Sequence, residues 1–111
     1  MSKAEIMLYD WLAAYRLVDR WLEELTYHKD MEDIVVKGIA RNLSYIEDLL
    51  EFIKENGVQG KYIDLAFDCI KALRKSTKQK VTARIHGLLL DLRNHLEGIL
   101  AFEISRSLER Q

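Results

Sequence analysis

From Val36 to Ile53 an apolar side chain returns at every third or fourth position: Val36, Ile39, Leu43, Ile46, Leu50 and Ile53. Lys37, Arg41, Ser44, Asp48, Glu51 and Glu55 fill the opposite positions. A helix of about 3.6 residues per turn gathers the first set on one face and the second on the other. Such a stripe must be covered, and the fold class follows from how often it recurs along the chain.

It recurs throughout. Proline is absent from all 111 residues and the five glycines are scattered, so long helix interiors meet few breakers. Ser2 and Glu5 have the spacing of a capping box and open a first helix predicted over about Lys3 to Tyr27. Leu8, Trp11, Tyr15, Val18, Leu22 and Leu25 form its inner stripe. Asp30 is the expected cap of the second helix, with Glu32 and Asp33 at the positive end of its dipole. Asn56-Gly57 is expected to close that helix, since glycine readily turns left-handed.

Ile63, Ala66, Ile70 and Leu73 mark a shorter third helix. Ser76 and Gln79 repeat the capping-box spacing and predict a tight turn into a fourth. Val81, Ile85, Leu88, Leu92, Leu96 and Ile99 form the inner face of that helix, which is expected to reach about Glu109. The pattern implies an all-α fold, an antiparallel four-helix bundle in one domain spanning residues 1–111. One variant stays open. No glycine or proline lies between Lys61 and His86, so helices three and four could merge into one rod completed by a second chain.

Chemistry-bearing motifs are absent. His28, His86, His95 and the single cysteine, Cys69, are dispersed, which gives neither a zinc ligand set nor the Glu-x-x-His pairs of di-iron bundles. Phosphate-cradling glycine loops and nucleophile signatures are missing too. The expectation is therefore a non-enzyme without cofactor or metal. Asp91 and His95 stand four residues apart and read as an ordinary helix-surface pair, with His95 at the core edge. Asn42 is predicted inside the seam of helix two, with His95 as its hydrogen-bond partner. The most apolar stretch, Ile85 to Ile104, is broken by Asp91, Arg93, His95, Glu97 and Glu103, too charged for a membrane span. A lone cysteine and no signal-peptide pattern make the cytoplasm the expected compartment.

Two surface features point to partners. The net charge is −1, yet residues 1–68 carry fourteen acids against eight bases and residues 69–111 four acids against nine bases. Lys71, Arg74, Lys75, Lys78, Lys80 and Arg84 run without an intervening acid, a candidate anion or nucleic-acid patch. The same asymmetry also suits a self-complementary dimer, acidic half against basic half.

The second feature is apolar surplus. Beside its main stripe the first helix carries Met7, Ala14, Leu17 and Trp21, more than one seam needs. On the fourth helix Gly87, Asn94, Gly98, Ala101 and Ser105 form a strip of short side chains flanked by Leu90, Ile104 and Leu108. Its far end is expected to project beyond the bundle, leaving Phe102, Ile104 and Leu108 to be covered. Leu17, Trp21, Leu90, Gly98, Ala101, Ile104 and Leu108 are thus the candidate protein interface, although core burial is the preferred reading for both tryptophans. The reading is a non-enzymatic interaction or regulatory module, forming a homodimer or binding a protein partner. The alternative is a nucleic-acid-associated helical protein.

Overall fold

The computed structural model describes residues 2–109, so the outermost positions of the expected domain, 1 and 110–111, lie outside it. Its order is α1 (Lys3–Tyr27), a 3-10 turn (Lys29–Met31), α2 (Glu32–Glu55), α3 (Lys61–Gln79) and α4 (Thr82–Gly98). A π-helical segment (Ile99–Ile104) and α5 (Ser105–Glu109) continue from α4. Each of the first four helices packs on the next, and α4 closes the ring against α1.

The pairing is antiparallel throughout. Trp11 Nε1 donates to the Leu96 carbonyl at 2.7 Å near one end of the α1–α4 seam, while Arg93 meets Asp19 at 2.9 Å further along. Arg74 of α3 reaches Glu47 and Ser44 of α2, and Cys69 of α3 donates to the Leu88 carbonyl of α4. The all-α four-helix architecture read from periodicity is the one observed.

Ile39, Leu43, Ile46, Leu50 and Ile53 are fully buried, as their stripe requires, and meet Ile63, Ile70, Leu73, Ile85, Leu92 and Leu96 in one continuous core. Burying a side chain of this size stabilises by about 1.5–3 kcal/mol.

Helix phase on α1 and α4 departs from expectation. On α1 the buried residues are Met7, Trp11, Ala14, Val18, Trp21, Leu22 and Leu25, whereas Leu8 is exposed. Met7, Ala14 and Trp21 of the surplus stripe are core, and Leu17 is half-buried beside them. Because α1 touches both α2 and α4, it buries an arc wide enough to include that second row. On α4, Leu89 takes the fully buried place expected for Leu88, and Val81 is exposed at the turn.

The helix ends also correct the sequence reading. Ser2 caps α1 by accepting the Glu5 N–H at 3.2 Å. Asp30 caps nothing: it lies within the 3-10 turn, and Met31 holds the position before α2 with no side-chain bond. Gly57 (φ 99°) follows α2 as expected. The Ser76–Gln79 capping box does not form, because α3 runs on through both residues and buries Ser76. The chain turns instead at Lys80, whose φ of 56° is left-handed. Val81 N–H donates to the Ser76 carbonyl and Lys80 N–H to the Thr77 carbonyl, each at 3.3 Å, which closes α3 as a Schellman motif. Helices three and four are therefore separate, and the merged rod is not what forms.

Beyond α4 the turn widens. A π turn holds one residue more than an α turn, which rotates everything downstream by about 100°. That rotation carries Ile104 from the flank into the core, beside Glu103, which follows Leu96 and Ile99 on the unshifted stripe. Glu103 Oε1 accepts the Tyr62 N–H at 2.7 Å and Oε2 the Ile63 N–H at 3.0 Å. The carboxylate thus fills the N-terminus of α3, where unpaired amides and the dipole favour negative charge. The end of the fourth helix does not project free: Leu108 packs on the core, and exposed Phe102 stacks on Tyr62.

Candidate protein-interaction groove

Where α1 and α2 part around the 3-10 turn they leave an open groove of about 470 Å³. Leu17 and Trp21 of α1 and Val35 of α2 supply apolar lining, with Met31 and Ile34 beside them. Trp21 and Val35 are buried, but Ile34 is 65% exposed and Met31 43%. These two belong to no core stripe. Gly38 also lines the groove, and a Cβ built there would meet nothing within 4 Å. Tyr45 and Phe52 follow Gly38 by two and four turns and extend the same flank as further exposed aromatics.

The polar rim is modest. Arg20 Nε pairs with Glu24 Oε1 at 2.9 Å on α1, an exposed contact worth little in itself. Asn42 at the far end is exposed, and its amide donates to the Gly38 carbonyl at 2.7 Å. It neither enters the seam nor bonds to His95, because its position on the helix lies just outside the arc spanned by Ile39, Leu43 and Ile46. His95 is half-buried and Asp91 exposed, as read from their spacing.

The groups with shifted pKa lie elsewhere. Burial raises Asp10, and the hydrogen bond from Tyr15 to Glu97 raises Tyr15. The Arg74 guanidinium lowers Glu47 and is itself raised by it. Burial pushes the Cys69 thiol up to about 12. None of these five lines the groove.

Of the seven interface residues read from sequence, the structure brings Leu17 and Trp21 to this groove. The others do not join them. Ile104 is buried inside the chain, and Gly98 lies under the Tyr62 ring, so neither is available on a surface strip. Leu108 is half-buried against the core. Leu90 lines a separate shallow recess with His86 and Arg93, and Ala101 is exposed by itself on the π-helical segment. Met31 and Ile34 were missed, although a signal existed: two apolar residues off the main stripe of helix two.

The basic patch is divided. Arg74 forks onto the Glu47 carboxylate at 2.9 and 3.0 Å and reaches Ser44 Oγ at 3.2 Å, so it clamps α3 to α2. Lys71, Lys75 and Lys78 are exposed along α3, Lys80 sits in the turn and Arg84 is exposed at the start of α4. Among the described residues no helix is long and apolar enough to cross a membrane. Comparison with protein-family models, curated proteins and solved structures finds no match to this chain.

Proposed function

We propose that the chain is a non-enzymatic protein-interaction module whose α1–α2 groove receives the apolar face of a partner's amphipathic helix. The observation that carries this is Ile34, 65% exposed beside a groove lined by Trp21 and Leu17. A contiguous apolar surface on a protein of this size is uncommon away from interaction sites. Two antiparallel helices with a glycine between them suit helix-in-groove binding, because Gly38 lets a third backbone come close. Tyrosine, here the exposed Tyr45, is a frequent anchor of such contacts. A reducing compartment such as the cytoplasm suits a chain whose one cysteine is buried.

The test is photo-crosslinking in the native host. A photoreactive residue at Ile34 is expected to trap one protein, and the same residue at exposed Arg16 is expected not to. Ile34→Glu should abolish recovery of that protein while leaving the melting temperature within a few degrees of the parent. Equal recovery with Ile34→Glu overturns the reading.

A second reading, nucleic-acid association, is favoured by Lys75, Lys78, Lys80 and Arg84, which are exposed with no acid between Asp68 and Asp91. Replacing Lys75, Lys78 and Lys80 with glutamine should then reduce the salt dependence of binding by about one unit of slope per lost phosphate contact. A parent that binds no oligonucleotide at low ionic strength removes it.

A further inference from the structure

The register between α2 and α3 sorts their surface charges by sign. Arg74 beside Ser44 and Glu47, and the Lys54 ammonium 5.5 Å from the Phe67 ring, set residues 34–46 of α2 alongside the end of α3 from Lys75 onward and residues 47–55 alongside residues 61–74. Residues 34–46 and 75–79 hold four bases (Lys37, Arg41, Lys75, Lys78) and no acid. Residues 47–55 and 61–74, at the other end of the same face, hold six acids (Glu47, Asp48, Glu51, Glu55, Asp64, Asp68) and four bases (Lys54, Lys61, Lys71, Arg74). All fourteen are exposed except Arg74 and Glu47, which join at the boundary.

On each helix these charges form one outward stripe. Positions 37, 41, 48, 51 and 55 follow helical spacing on α2, as do 64, 68, 71, 75 and 78 on α3. Within the chain the layout sets like beside like at both ends: Arg41 runs alongside Lys78, and Glu51 and Glu55 alongside Asp68 and Asp64, with Lys54 and Lys71 among these acids. The opposite layout on either helix would have paired them. The centres of the two halves stand about ten residues, or about 15 Å, apart along the helix. That exceeds the screening length of about 8 Å at physiological salt, so each half presents its own field.

We infer that the α2–α3 face binds a second copy of this chain, turned end for end about a two-fold axis near the Glu47–Arg74 pair. That rotation lays each basic half on the partner's acidic half, and every contact occurs twice, as a closed two-fold interface requires. It also relieves the like-charge neighbours that the isolated chain carries. The surface is polar, so association is fast, steered by charge and sensitive to salt. This interface is separate from the α1–α2 groove and does not depend on it.

Sedimentation of the full chain tests it. The parent is expected to dimerise at about 0.05 M salt and to weaken tenfold or more at about 0.5 M. Lys75→Glu with Lys78→Glu puts two acids into the basic half, and Glu51→Lys with Glu55→Lys puts two bases into the acidic half. Each variant alone should be a folded monomer, and an equimolar mixture of the two should dimerise again, which a folding defect could not produce. Leu17→Ala, in the groove on α1 and away from this face, should leave self-association unchanged, so a failed groove and a failed dimer are told apart. A parent that stays monomeric at low salt overturns the inference, as do reversal variants that dimerise like the parent. A monomeric parent that instead binds a DNA oligonucleotide through Lys75 and Lys78 assigns the basic half to nucleic acid and overturns it equally.

Discussion

Glu103 closes a helix that begins forty residues earlier: its two carboxylate oxygens accept the backbone N–H groups of Tyr62 and Ile63 at 2.7 and 3.0 Å. The backbone gives way to make room, since a Cβ at Gly60 would fall on that carboxylate. Glu103→Ala would leave two amides without their partner and is expected to cost about 1–3 kcal/mol. Glu103→Gln, which keeps one good acceptor, should cost less. Urea unfolding of both variants measures the difference, and equal stability of Glu103→Ala and the parent would show that the latch contributes nothing.

Lys80 carries a left-handed backbone that glycine adopts without steric conflict. Lys80→Gly is therefore expected to raise stability by about 1 kcal/mol, unlike glycine placed inside a helix. A lower melting temperature would contradict the turn geometry.

The Arg74 guanidinium holds the Glu47 carboxyl below its ordinary value of 4.5. A carboxyl whose folded pKa lies below its unfolded one contributes stability that is fully present above the unfolded pKa. That contribution is lost as the pH falls through the folded value. Glu47→Gln should be less stable than the parent at pH 7 by no more than about 1 kcal/mol, because both partners are partly solvated. The gap should close as the pH is lowered below about 4.5. A gap that is constant with pH would refute the ion-pair account.

The Cys69 thiol, raised to about 12 by burial and by the charge of Asp91, is protonated at neutral pH. It should react with an aromatic disulfide reagent at pH 8 only after unfolding, since the thiolate is the reactive form. Rapid reaction of the native chain would place Cys69 outside the core.

Ile46 and Leu92 are both fully buried on facing helices. Truncation of either to alanine should cost about 2–5 kcal/mol, a loss that calorimetry reads directly.

The helices themselves were legible in the sequence because helix formation is local. Six evenly spaced apolar residues from Val36 to Ile53 identify a buried face within a few turns, and the capping pair Ser2–Glu5 acts over three residues. What the tertiary structure decided involves partners far apart in the chain. Trp21 and Met7 are core because α1 has neighbours on two sides; the second apolar row of α1 demands a cover, and only the packing shows that the chain itself supplies it. Ile104 turned inward because a single π turn shifted the helix phase by about 100°, and a periodic reading carries the unshifted phase forward. Lys80, not Ser76, became the turn, because the bonds from Lys80 and Val81 back to Thr77 and Ser76 close α3 only after both residues are buried within it. The groove appeared for the same reason. Ile34 and Met31 stand off the main stripe of helix two in the sequence, but only the packing of α1 on α2 sets them beside Leu17 and Trp21.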